Sequence, residues 1–99
     1  MQTYVILRRE GWKTPAKLAE AAARSLRVAA DDLPDDVRWL RSYVLDEPSG
    51  SVGTVCVYQA SSPEAVRKHA RRAGLPVDEI VAVADTVVIH PDPAAPSVR

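Results

Sequence analysis

Two side chains in this 99-residue sequence have the chemistry to hold a transition metal, His69 and Cys56. Imidazole and thiolate are donors that such ions favour. His69 falls on a predicted helix, in one stripe with Val66, Ala70 and Ala73. It reads either as a metal ligand or general base, or as a half-buried histidine bonded to a neighbouring carbonyl or carboxylate. Cys56 reads either as a soft ligand or nucleophile, or as a small core residue. No CxxC, HExxH or closely spaced histidine pair accompanies them, so no metal motif is present. Strand parity also sets the two apart: with Cys56 facing away from the helices, His69 lies across the sheet from it.

A second group has the chemistry of recognition. Trp39, Arg41 and Tyr43 alternate along one segment and Tyr58 lies on another. Tyrosine, tryptophan and arginine are favoured in ligand pockets and at buried interfaces. A buried Arg41 demands a partner, either a ligand carboxylate or, across a dimer, Asp85 or Glu10. His90 reads as an exposed strand-end residue, or as part of a site completed by a second subunit. Asp31, Asp32, Asp35 and Asp36 lack the spacing and glycine of a calcium loop and read as solvated. Arg67, Lys68, Arg71 and Arg72 read as a helix face complementing its own C-terminal dipole rather than as a nucleic-acid surface. No Ser-His-Asp order, glycine-rich phosphate loop or carboxylate pair points to catalysis, and no catalytic residue is assigned.

The elements that must position these residues follow from turn and capping chemistry. Residues 3 to 9 are β-branched and aromatic and predict a strand ended by Gly11. Thr14-Pro15 opens a helix running to about Ala30, with Leu18, Ala22, Leu26 and Ala29 as its buried stripe. Residues 37 to 46 and 52 to 60 predict a hairpin joined by Glu47-Pro48-Ser49-Gly50-Ser51. Ser62-Pro63, or a Ser61–Glu64 capping box, starts a second helix that ends at Ala73 before Gly74. Residues 80 to 89 predict a fourth strand. The order β-α-β-β-α-β is the ferredoxin-like, split βαβ arrangement of the α+β class: a four-stranded antiparallel sheet with both helices on one face. Residues 1–90 form one domain, and 91–99 form a loose tail rich in proline and alanine.

Two helices cover only one face of such a sheet. The aliphatic sets Val5, Leu7, Val55 and Val57 are placed under the helices. Tyr4, Ile6, Trp39, Arg41, Tyr43, Cys56 and Tyr58 then make an aromatic open face, and a contiguous apolar patch of that kind recruits a second copy or a ligand. Thirteen basic and thirteen acidic residues cancel, which leaves no general field to draw nucleic acid or an anionic membrane. A single cysteine excludes an intrachain disulfide. No basic leader and no run of about eighteen apolar residues is present. The expectation is a soluble cytoplasmic protein.

The segments Trp39-Leu40-Arg41-Ser42-Tyr43-Val44, Cys56-Val57-Tyr58-Gln59-Ala60 and Glu64 through Pro76 resemble a family of small bacterial proteins of largely unknown function. That family belongs to the dimeric ferredoxin-like (dimeric α/β-barrel) group, and some members are described as nickel-binding. The resemblance spans about residues 3 to 89. It implies a homodimer joined sheet face to sheet face, and binding of a metal, nickel or another transition metal. The chain departs from the family at Gln59, where a carboxylate is usual, and in a longer hairpin loop from Asp46 to Thr54.

Three functions compete. The first is a non-enzymatic homodimer binding nickel, another transition metal or a small ligand, with His69 and Cys56 as candidate metal ligands. The second is a cofactor-free dimeric α/β-barrel enzyme, an oxygenase or isomerase, with His69, Tyr58 or Arg41 facing an organic substrate held between sheet and helices. The third is an interaction module with no ligand.

Overall fold

The computed structural model describes residues 1–28, 30 and 36–92. Ala29, Asp31, Asp32, Asp35 and the tail from residue 93 lie outside the described residues. The element order is β1 (Gln2–Trp12), α1 (Pro15–Arg27), β2 (Val37–Asp46), β3 (Val52–Ala60), α2 (Pro63–Ala73) and β4 (Glu79–Ala82). The four strands form one antiparallel sheet in the order β2-β3-β1-β4. This is the expected ferredoxin-like fold.

The capping chemistry acts as predicted. Thr14 accepts a hydrogen bond from the Lys17 amide at 3.2 Å ahead of Pro15. Ser62, rather than the Ser61–Glu64 box, caps α2 by accepting from the Ala65 amide at 3.1 Å. Gly74 takes a left-handed φ of 68°, and ends α2 as only glycine does cheaply.

The two faces of the sheet are the reverse of the expectation for β1 and β3. Tyr4, Ile6, Cys56 and Tyr58 are buried beneath the helices with Val37, Ala60, Ala65 and Val66. Val5, Leu7, Val55 and Val57 are half-buried. Size complementarity is the cause. The helices bring mostly small side chains to the sheet, Ala21 and Ser25 from α1 and Ala65, Ala70 and Ala73 from α2. The space beneath them is filled by the long side chains of the strands. The α1 stripe shifts likewise: Ala21 and Ser25 are buried, Leu18 and Ala22 are half-buried, and Leu26 is exposed.

Two bulges fix where side chains point. In β2 the register steps from Trp39 opposite Tyr58 to Arg41 opposite Val57, which makes Leu40 the extra residue. This one-residue bulge inverts the alternation beyond it. Trp39 therefore shares the helix-covered face with Tyr58, while Arg41 and Tyr43 pair with Val57 and Val55 on the open face. In β1 the register shifts between Arg8 and Trp12, and Glu10 takes a φ of 50°. The buried Glu47 carboxylate holds that irregularity, accepting from the Glu10 amide at 2.6 Å and from Arg9 Nη2 at 2.7 Å. The Arg9 guanidinium keeps the Glu47 carboxyl below its usual range. Gly53 is required opposite, because a Cβ there would lie 2.5 Å from Glu47 Oε2 and 2.7 Å from the Arg8 carbonyl oxygen.

β4 is shorter than the predicted 80–89, ending at Ala82. Its register sets Ala82 against Tyr4, so residues from Thr86 onward run past Gln2, where β1 begins. Val87, Val88 and Ile89 have strand-forming side chains but no strand beside them, and are exposed. Among the described residues no helix is long and apolar enough to cross a membrane.

Candidate functional site

A pocket of about 230 Å³ opens between α1 and the helix-covered face of the sheet. Tyr58, Cys56 and Thr54 of β3 and Arg8 of β1 line it from the sheet side, and Leu18, Ala21, Ala22 and Ser25 line it from α1. Trp39, Ser42 and Val44 reach it because the β2 bulge returns Ser42 and Val44 to the side that Trp39 occupies. Val44 is 62% exposed and marks the mouth. The volume lies between the roughly 150 Å³ of a cavity that takes benzene and the roughly 300 Å³ at which drug-sized pockets begin. It suits a ligand of one ring with a substituent.

A short polar network runs along the buried side. The Ser25 hydroxyl is 3.2 Å from the Tyr58 hydroxyl and 3.1 Å from His69 Nε2. His69 Nε2 is also 3.1 Å from the Ser25 carbonyl oxygen. A carbonyl only accepts, so Nε2 carries the proton and Nδ1 is left with its lone pair. Nδ1 is buried without a partner. Burial lowers the pKa of His69, with the Arg8 charge acting the same way, and the imidazole is neutral. Burial also raises the pKa of Tyr58, which outweighs its bond to Ser25 and keeps the phenol protonated. The Tyr58 ring stacks on Trp39 at 6.1 Å between centroids and meets His69 at 5.2 Å.

Arg8 is the group that sequence reasoning missed. Its residue is 1% exposed, its Nε donates to the Pro76 carbonyl at 2.8 Å, and its guanidinium carbon lies 5.9 Å from the Tyr58 ring centroid. Its Nη2 is buried with no hydrogen-bond partner. The signal was present in the sequence: Arg8 alternates with Tyr4 and Ile6, and all three share the buried face. Ser25 was missed too, one turn beyond the buried Ala21.

The predicted site residues are thus divided between the two faces. Trp39, Tyr58, Cys56 and His69 gather beneath the helices. Arg41 and Tyr43 lie on the open face, where both bond to the Asp92 carboxylate, Tyr43 donating at 2.5 Å. Within one chain Arg41 is thus paired with Asp92. The Asp92 carboxyl is held below its usual range, chiefly by Tyr43, and Arg41 is held firmly charged. The expectation that Trp39, Arg41, Tyr43 and Tyr58 share one face is corrected by the β2 bulge, which sets Trp39 and Tyr58 apart from Arg41 and Tyr43. The parity argument separating Cys56 from His69 is corrected by the reversed faces of β1 and β3, which put both residues on the helix side.

Sharing a side does not make Cys56 and His69 a metal centre. The Cys56 sulfur accepts from the Ser42 hydroxyl at 3.0 Å and lies 3.4 Å from Thr54 Oγ1. His69 Nε2 is committed to Ser25. Among the described residues no three histidine, cysteine or carboxylate side chains converge. Of the two, His69 keeps an open lone pair on its buried Nδ1, but with no third donor beside them these residues alone do not make a nickel site within one chain.

Comparison with known proteins adds the following. A protein of known structure, SCO4226 from Streptomyces coelicolor A3(2), superimposes with a TM-score of 0.66 at 24% identity, over 86% of this chain and 99% of that one. That likeness shows the shared fold. No curated protein matches the sequence. The family described as nickel responsive protein SCO4226-like matches residues 4–83, which covers both helices and all four strands but for the first two residues of β1. The chain belongs to the SCO4226-like family of nickel responsive proteins.

Proposed function

We propose that this protein is a small homodimeric binding protein with a role in the response to nickel, its two sheets paired open face to open face and a small-molecule pocket retained beneath the helices of each subunit. The observation that carries the binding reading is the pocket under α1. It is apolar, ring-sized and edged by the buried, incompletely bonded Arg8. Pairing is supported by the half-buried Val5, Leu7, Val55 and Val57, the partly exposed Tyr43 and Val81, and the exposed run Val87 to Ile89. Apolar area of this extent is uncommon on a monomer.

The nickel link comes from the family. Titration of the untagged protein with nickel, zinc and copper by calorimetry tests it. Stoichiometric nickel binding is expected, unchanged in Cys56→Ser, whose thiol is committed to Ser42 and Thr54. Loss of binding in His69→Ala would assign the metal to the imidazole. Retention in both variants would assign it to donors completed by the second subunit, such as His90. The absence of any nickel binding would remove direct metal capture from the function.

A further inference from the structure

We infer that the pocket beneath α1 binds a small organic acid of one ring or equivalent apolar bulk, its carboxylate paired with Arg8. The inference deepens the binding reading above and rests on it. Three observations converge. Arg8 is buried, and its Nη2 has no partner. Its guanidinium donates from Nε to the Pro76 carbonyl and lies against Tyr58, both neutral groups, and no carboxylate pairs with it among the described residues. A buried cation is strongly disfavoured unless paired, and arginine matches a carboxylate in a forked, bidentate geometry.

The remaining lining fits the rest of such a molecule. Trp39 and Tyr58 offer stacked ring faces, while Leu18 and Ala22 offer aliphatic cover. The other titratable groups around Arg8 are Tyr58, His69 and Cys56. Tyr58 is a protonated phenol and His69 a neutral imidazole, so neither supplies the missing negative charge. The same set argues against a cationic ligand, which Arg8 would repel. The volume argues against long-chain acids.

Trp12 and Trp39 both line the pocket and report its occupancy. The experiment titrates the full-length protein with benzoate and with benzamide, its uncharged counterpart of nearly equal shape, and follows tryptophan fluorescence and melting temperature. Saturable quenching and stabilisation by benzoate are expected, with benzamide roughly ten- to hundredfold weaker, the ratio a charge-assisted hydrogen bond confers. Ala22→Met, on the α1 side of the pocket, fills it while leaving Arg8 in place in the sequence, and should abolish the benzoate response while the protein stays folded. Arg8→Met should bring benzoate down to the benzamide level. If Arg8→Met does not fold, the benzoate-to-benzamide ratio and Ala22→Met still decide the matter. Equal binding of benzoate and benzamide would overturn the carboxylate assignment and leave an apolar pocket. A benzoate response that survives Ala22→Met would overturn the location. No response to either compound would overturn the inference, and with it the small-molecule arm of the proposed function, while leaving the dimer and the nickel link to their own tests.

Discussion

His69 shows how one residue type carries opposite meanings until its neighbours are known. A histidine on a helix reads equally as ligand or as packing. Here its Nε2 proton is used by the Ser25 carbonyl, its ring packs on Tyr58, and burial near Arg8 favours the neutral form. The sign of the resulting pH dependence is fixed. In the unfolded chain His69 takes up a proton near pH 6.5, and in the folded protein only at lower pH. Above that value both states are neutral and the group contributes no slope. Below it the unfolded state binds more protons, and stability falls until the folded pKa is reached. Chemical denaturation between pH 8 and pH 5 should therefore show a loss of stability beginning near 6.5. His69→Gln should remove that slope and cost about 1–3 kcal/mol at neutral pH through its imperfect replacement of buried bonds. An unchanged slope in the variant would place the titration elsewhere. Arg8 was hidden for a related reason: its charge argued for solvent, and only its place in the Tyr4–Ile6–Arg8 alternation argued for burial.

At the level of the elements, cap and turn chemistry proved readable because it is local. Thr14, Ser62 and Gly74 each act within a few residues of their position in the chain, and each end they mark is where it was expected. What was not readable is set by partners distant in sequence. Aliphatic content alone placed Val5, Leu7, Val55 and Val57 under the helices. The deciding fact is that α1 and α2 turn alanine and serine toward the sheet and leave room for Tyr4 and Tyr58. Those small residues were in view, and weighing them against the strands would have reversed the assignment. The bulge at Leu40 has no glycine or proline to announce it, so Trp39, Arg41 and Tyr43 read as one face. The β1 bulge can be tested through Gly53. Gly53→Ala should destabilise by about 1–3 kcal/mol through overpacking, since its Cβ would meet Glu47 Oε2 at 2.5 Å and the Arg8 carbonyl oxygen at 2.7 Å. A denaturation midpoint equal to that of the natural protein would show that the Glu47 anchor yields easily. Because Arg8 and Trp12 flank this bulge and both line the pocket, the same variant should also alter tryptophan fluorescence.

Across the whole molecule the sheet separates two roles. The covered side holds the pocket, with Arg8, Tyr58 and the Ser25–His69 pair. The open side presents Val5, Leu7, Val55 and Val57 with Tyr43 and Arg41, the latter two joined to Asp92. Val87 to Ile89 project beyond the start of β1, and a neighbouring subunit would give that run a surface to cover. Pairing through the open side leaves the pocket intact. A variant that breaks the dimer by Tyr43→Arg should therefore still quench with benzoate.

The central claim, that the uncovered face is a subunit interface, is tested most directly by the solution mass of the untagged protein from multi-angle light scattering over a range of micromolar concentrations. The account predicts twice the 10.8 kDa of one chain, falling to a single chain or to insoluble material in Tyr43→Arg. A natural protein that remains at 10.8 kDa throughout that range, or a Tyr43→Arg variant that stays fully dimeric, would contradict it.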